Sequence, residues 1–324
     1  MTEPPTPKPT FGRESTSEAR QNVNLGAELV RVPAQTAVVG SDDHYPEERP
    51  ARTVSIDEFL IQRTAVTNMR FAEFVDATGY VTVAERPLNP ADYPDAPAEN
   101  LQPGSMVFTR TQGPVDLRHL SQWWAWTPGA SWRHPVGPHS SIDKRAGHPV
   151  VHVAYEDAEA YAQWAGLTLP TEAEWEVAAR GGLTSATYTW GDDPEQPDQR
   201  LANYWHGDFP WRPEPGYGRT APVGSFPANG YGLFDMAGNV WEWTADWYAD
   251  TRAGDPCCEA ASYDARQPQF RVPRKVIKGG SFLCADTYCL RYRPAARRPQ
   301  MIDTGMSHIG FRCITRSAPA KMKP

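Results

Sequence analysis

Cysteine is scarce in this chain. Five cysteines among 324 residues, an odd number, do not make the disulfide framework of a small secreted domain. Long apolar runs are missing too. No stretch approaches the ~20 residues of a membrane span, and the opening Met1-Thr2-Glu3-Pro4-Pro5-Thr6-Pro7-Lys8-Pro9 lacks the apolar core of a secretory leader. A cytoplasmic protein with no membrane partner and no structural disulfides is expected. Positive charge is not in excess: the formal net charge of -7 and a pI near 5.7 argue against a nucleic-acid partner held through phosphates. There is no phosphate-binding loop, dinucleotide-binding glycine fingerprint or Gly-x-Ser-x-Gly elbow. His148 and His152 are four apart, but Pro149 follows the first and residues 150–153 read as a strand, so they are not a helical zinc pair.

What the chain does have is aromatic and turn-forming residues: 12 Trp, 13 Tyr and 11 Phe beside 25 Gly and 32 Pro. Rigid rings filling a core among many turns predict a loop-rich protein. Without an internal repeat or a low-complexity linker, one α+β domain is expected over residues 26–316, between a disordered tail (1–25) and a C-terminal tail (317–324). The folded part is expected to begin near residues 28–32, and residues 51–56 alternate as a strand should. Three helices are legible. One runs from the N-cap Thr67 to a stop at Gly79, and one from Tyr155 to Trp164 before Gly166. The third opens with the capping box Thr171-Glu172-Ala173-Glu174 and ends at Gly181-Gly182. Residues 81–147, with Trp123-Trp124-Ala125-Trp126, read as a packed irregular insertion, and 249–272 as an exposed loop.

Chemistry concentrates in the last third. Cys284 and Cys289 form a C-x4-C pair. Residues five apart in a strand point to opposite faces, so the sulfurs meet only if the chain turns, which Ala285-Asp286-Thr287 can supply. Two converging thiols serve as a redox disulfide, as a soft-metal site suited to Cu(I), or for packing alone, and the spacing leaves all three open. Cys257 and Cys258 are adjacent and do not readily bridge each other, and Cys313 sits in an apolar context as a buried thiol. Arg291, Arg293, Arg297 and Arg298 are read as internal ion pairs or as a docking face for an acidic or polar peptide. The first two would also favour thiolates. Oxygen-bearing side chains gather between 203 and 242, where Gly238-Asn239-Val240-Trp241-Glu242-Trp243 follows Asp235. Such a loop suits calcium, but spacing alone favours an Asx-turn network without an ion.

The motifs around these residues add a resemblance. Leu169-Pro170-Thr171-Glu172-Ala173-Glu174-Trp175-Glu176, Asn229-Gly230-Tyr231-Gly232-Leu233, Gly238-Asn239-Val240-Trp241-Glu242-Trp243, Lys278-Gly279-Gly280-Ser281 and Gly310-Phe311-Arg312-Cys313 follow in order. This series resembles the sulfatase-modifying-factor superfamily from about residue 28 to 314. The run Gly-Gly-Ser-x-x-Cys-x-x-x-Tyr-Cys-x-Arg-Tyr-Arg from Gly279 to Arg293 resembles its bacterial-type formylglycine-generating enzymes. The resemblance implies a single loop-rich domain of the formylglycine-generating-enzyme and C-type-lectin-like superfold. It also implies oxidation by O2 and Cu(I) of a cysteine in a sulfatase Cys-x-Pro-x-Arg motif to Cα-formylglycine. The partners implied are an unfolded or nascent sulfatase polypeptide and a thiol reductant, for an enzyme acting as a monomer.

Carried over by position, Cys284 and Cys289 are the copper ligands, Ser281 and Tyr288 line the oxygen and substrate-thiol pocket, and Trp241 is one of its walls. One structural Ca2+ falls on the side chains of Asp235 and Glu242 and the carbonyls of Gly238 and Val240. Another falls on Asn203 and the carbonyls of Tyr204 and Tyr217. There Pro215 stands in place of the family's aspartate, and Glu214 is the nearby carboxylate. Ala285 replaces a usual histidine, and Met301-Ile302-Asp303-Thr304-Gly305 and His308 differ along the expected peptide groove. Ala162 and Pro294 stand where the secreted animal enzymes have cysteines. The alternatives on this fold are a non-catalytic peptide- or ligand-binding module, which needs no intact cysteine set, and a sulfoxide-synthase-like enzyme. The latter needs an added helical domain with a histidine-rich iron site, and residues 1–150 have no such pattern.

Overall fold

The computed structural model describes residues 28–316 apart from 92, 94–96, 98–100, 196–198, 251–258 and 268–270. Both predicted tails and Cys257-Cys258 therefore lie outside the described residues. Short strands dominate the start of the chain: β1 (Leu29–Val32), β2 (Gln35–Val39), β3 (Arg52–Ile56) and β4 (Phe59–Gln62). Helix α1 (Asn68–Thr78) follows, then the hairpin β5 (Gly104–Phe108) and β6 (Trp124–Pro128), then α2 (Tyr155–Trp164) and α3 (Glu172–Arg180). The remainder holds β7 (Gly207–Asp208), β8 (Arg212–Pro213), β9 (Trp241–Trp247), β10 (Arg274–Lys278), β11 (Arg297–Met301), β12 (Ile309–Gly310) and β13 (Ile314–Thr315). A four-stranded sheet runs β11-β10-β9-β12 and a three-stranded one β1-β4-β13, with three separate hairpins. All pairings are antiparallel except β12 on β9.

The helices end where their residues dictate. Thr67 accepts from the Arg70 N–H at the start of α1, and Gly79 closes it at φ 67°. Thr171 and Glu174 satisfy each other's backbone at the start of α3, and Gly181 ends it at φ 60°. The faces of α1 and α2 meet through rings. Phe74 of α1 lies edge-on to Tyr161 of α2 (5.7 Å), and Phe71 stacks on the same ring (6.0 Å). Such pairs add about 0.5–1.5 kcal/mol each beyond their buried area.

Helix α3 is buried on its charged side as well. Glu176 accepts from Lys278 Nζ (2.9 Å), from Arg180 (2.8 Å) and from the Gly40 N–H (2.7 Å). These bonds tie α3 to the central strand β10, every residue of which is buried.

Three expectations need correction. Residues 150–153 are not a regular strand: His152 has φ 61° because both ring nitrogens are drawn inward, to Ser105 Oγ and the Pro135 carbonyl (2.8 Å each). The 81–147 insertion contains the regular hairpin β5–β6. Within 249–272, a 3-10 turn at Glu259–Ser262 leads to a fully buried Ser262, whose carbonyl and hydroxyl accept from Arg274.

Candidate active site

The segment after β10 carries the predicted cysteines, and its turns are imposed by close approach. Gly280 sits at φ 71°, and a Cβ there would lie 2.8 Å from the Arg291 carbonyl oxygen and from Tyr292 Cα. Only glycine fits, which explains the second glycine of the motif. The Ser281 carbonyl accepts from Cys284 N–H (2.9 Å), and the Ala285 carbonyl accepts from Tyr288 N–H (2.9 Å) and Cys289 N–H (2.6 Å). The predicted turn at 285–287 thus forms, and it brings the two sulfurs to 3.6 Å, both buried. All three described cysteines, Cys313 included, are free thiols.

The two thiols are not equivalent. Burial and the neighbouring Cys289 push Cys284 well above the ordinary thiol range. Cys289 is pushed down to about 6, first by the hydrogen bond from Cys284 and then, against burial, by Arg291. Arg291 Nη1 lies 3.7 Å from Cys289 Sγ. Its other nitrogens hold Glu47, and its guanidinium stacks 3.6 Å over the Tyr45 ring. The two sulfurs thus titrate as a coupled pair, with Cys289 the readier to lose its proton.

Of the four clustered arginines, Arg291 pairs with Glu47, Arg293 with buried Glu48 and Arg297 with Glu172. The ion-pair reading holds for these three. Arg298 instead lines the cavity over the thiols, and it contributes to lowering Cys289.

That cavity, about 350 Å³, is lined by all five predicted residues: Ser281, Cys284, Tyr288, Cys289 and Trp241. Tyr288 stacks on Phe209 (4.7 Å) and meets Trp123 edge-on (6.0 Å). Ser281 Oγ accepts from the Leu283 N–H (3.2 Å). Trp241 is anchored by its N–H to the His308 carbonyl (2.8 Å). The hairpin supplies Met106, Trp123 and Trp124 as a further wall, with exposed Leu120 at the rim. His308 also lines it, with its ring against Trp124 (4.8 Å). Its Nδ1 is buried without a partner among the described residues, and burial pushes its pKa down to about 3. Ala285 is buried against the aromatic cluster of Trp123, Trp205 and Phe209.

Two thiols of which one ionises readily, in an apolar cavity, fit a soft monovalent ion such as Cu(I). Among the described residues no three His, Cys, Asp or Glu side chains gather as metal ligands.

The oxygen-rich segment lies directly beneath the cysteine loop. Trp205 N–H donates to the Cys284 carbonyl (2.7 Å), and Phe282 N–H donates to the Asn239 carbonyl (3.0 Å). Asn239 N–H in turn donates to the Asn203 carbonyl (2.7 Å). Asp235 is buried, and desolvation pushes its carboxyl up to about 6; the Gly224 N–H and Arg312 oppose this, and Glu242 adds to it. Glu242 takes Arg312 in a bidentate pair (2.7 and 2.8 Å) and the Trp175 indole (2.7 Å), which leaves one acceptor position on Oε1. The Asn203 side-chain oxygen is buried with no hydrogen-bond partner among the described residues. Glu214 pairs with Arg200 (2.8 Å). A buried carboxyl short of compensating charge and an orphaned amide oxygen fit a hard cation such as Ca2+.

Comparison with known proteins bears on this site. Residues 14–317 match the family described as Sulfatase-modifying factor enzyme 1-like domain. The chain is 56% identical to a formylglycine-generating enzyme of Mycobacterium tuberculosis, over 89% of this chain and 97% of that protein. It is also 36% identical to the inactive C-alpha-formylglycine-generating enzyme 2 of Mus musculus, over 90% of this chain and 87% of that protein. The fold matches the solved structure of PvdO from Pseudomonas aeruginosa with a TM-score of 0.59, at 24% identity, over 88% of this chain and 93% of that one. No helix among the described residues is long and apolar enough to cross a membrane.

Proposed function

The chain belongs to the sulfatase-modifying factor enzyme 1-like family, and from that premise we propose that it oxidises the cysteine of a sulfatase Cys-x-Pro-x-Arg motif to Cα-formylglycine. Its oxidant is O2 and its cofactor Cu(I), held by Cys284 and Cys289. The observation that carries this reading is the thiol pair, 3.6 Å apart and facing a largely apolar cavity. A non-catalytic binding module on this fold would need no such pair. Bound copper supplies the one-electron chemistry with O2 that side chains lack.

The chain's own residues do the rest. Arg291 and Arg298 keep negative charge on the sulfur of Cys289. Trp123, Trp124, Tyr288 and Phe209 exclude water from the reacting cysteine. Ser281 Oγ and Tyr288 lie on the wall where the substrate sulfur arrives. The substrate is a sulfatase chain before folding, since only an extended segment brings a cysteine to a recessed floor. A thiol reductant supplies the remaining electrons. Ca2+ at the 203–242 segment has a structural role, bracing the loop that carries Cys284 and Phe282. Free thiols at every described cysteine support a reducing, cytoplasmic setting, and the protein acts as a monomer.

The test is to load the protein with Cu(I), supply a Cys-x-Pro-x-Arg peptide, a thiol reductant and air, and follow aldehyde formation by mass. Turnover is expected for the wild type and not for Cys284→Ser or Cys289→Ser. Normal turnover in either variant overturns the copper assignment. No turnover by the wild type across several such peptides overturns the enzymatic reading in favour of a binding module.

A further inference from the structure

Behind the thiol cavity lies another, of about 430 Å³, that the proposed reaction leaves unused. The two cavities share walls one residue thick. Met106 faces the first while Val107 faces the second. Leu283 and Phe282 divide in the same way, as do Met306 and Ser307. In the strand β5 extended backbone sends successive side chains to opposite sides, and the turn at 282–283 and the residues 306–307 divide their side chains likewise.

The second cavity has a different chemistry. Arg110, Arg145 and Arg219 line it from three separate segments, and no Asp or Glu does. Many other arginines are matched with carboxylates, as in the pairs Arg180–Glu176, Arg200–Glu195, Arg293–Glu48 and Arg312–Glu242. These three have no ion pair among the described residues, in a chain whose net charge is -7. Arg145 is half-buried. Its burial and the charge of Arg219 both push its pKa down. Both cations also bear on His148, which bonds Thr220 Oγ1 at 3.0 Å in the cavity wall, and together with burial they lower its pKa. A guanidinium stays protonated regardless, so two like charges converge with nothing from the described residues to offset them.

We propose that this cavity binds a small polyvalent oxyanion of the phosphate or diphosphate class, clamped by Arg145 and Arg219, with Arg110 closing on it from the β5 end. Planar guanidinium forks match paired oxyanion oxygens. Hydroxyl groups at Thr109 and Thr220, both on the lining, add neutral partners. The volume exceeds what one phosphate fills, which favours an anion with two adjacent charged groups. The site is independent of copper and of the sulfatase substrate.

Melting curves of the full-length protein test it. At constant ionic strength, inorganic pyrophosphate is expected to raise the melting temperature saturably, by roughly 5 °C at about a hundredfold excess over its Kd, with phosphate acting more weakly and chloride not at all. The double variant Arg145→Gln with Arg219→Gln is expected to melt no lower than the wild type without anion, since repulsion is relieved, and to lose the response. Arg219→Glu, which sets a carboxylate beside Arg145, should lose it too. A wild type without a saturable response to phosphate or pyrophosphate overturns the site. So does a response that chloride reproduces at matched ionic strength, or one that both variants retain.

Discussion

Arg291 holds Cys289 and Glu47 at once. One nitrogen lies 3.7 Å from the sulfur, and the other two donate to the same carboxylate oxygen at 2.7 and 3.1 Å. The cation beside the thiol is thus fixed by a residue from the opposite end of the chain. In metal-free protein, the thiolate absorbance of the pair should rise with a first midpoint near 6, well under the ordinary thiol value. Arg291→Gln should raise that midpoint by about 1–2 units, and Glu47→Gln by less. An unmoved midpoint in Arg291→Gln would leave the Cys284 hydrogen bond and Arg298 as the causes.

Glu48 and Arg293 form the neighbouring ion pair, both essentially out of solvent. Removing one partner strands a buried charge, at a cost of about 3–5 kcal/mol. Glu48→Gln is expected to lower the free energy of unfolding in urea by that amount. A loss under about 1 kcal/mol would mean the pair is hydrated in solution.

The buried imidazole of His152 sets part of the acid limit. Burial pushes its pKa down to about 4, while in the unfolded chain it titrates near 6.5. As pH falls, the unfolded state takes up the proton first. The stability tied to this residue is present above about 6.5 and is lost as pH falls through about 4, roughly 3 kcal/mol in all. His152→Asn keeps a residue tolerant of positive φ. It should lose correspondingly less stability than the wild type between pH 7 and pH 4. Parallel pH curves for the two proteins would count against this assignment.

Chelation addresses the segment beneath the thiols. If Ca2+ sits at Asp235 and Glu242, or at Asn203, thorough treatment with a chelator should lower the melting temperature by several degrees. Added Ca2+ should restore it, and Asp235→Asn should weaken the response. A melting temperature indifferent to chelator would leave the orphaned Asn203 oxygen without a cation to explain it.

Much of this was legible in the residues, because local signals carried it. Thr67 and Gly79, like Thr171 and Gly181, act within a few residues of themselves, so the bounds of α1 and α3 followed from their caps. The thiol pair needed only the turn at 285–287. Elements whose cause is distant were harder to read. The hairpin β5–β6 walls the site, yet its strands are separated by fifteen residues of irregular chain, and pairing across such a gap leaves no periodic trace. Arg298 looked like its three neighbours because its difference, facing a cavity rather than a carboxylate, is a tertiary fact. Residues 150–153 are rich in β-branched valine like a strand but bend, because Ser105 and Pro135 claim the ring of His152.

The grip of residues 45–48 on residues 290–293 spans 244 or 245 positions of sequence. Contacts so distant form late, after the loop-closure entropy between them has been met. During synthesis the two thiols emerge long after their clamp, and only then does Arg291 acquire its fixed place. A growing chain thus has no finished thiol site with which to capture a metal ion prematurely. For the same reason the loop from Gly279 to Arg293 would not keep its acid–base character as an isolated peptide, since the residues that fix Arg291 in place, Tyr45 and Glu47, are encoded before residue 50.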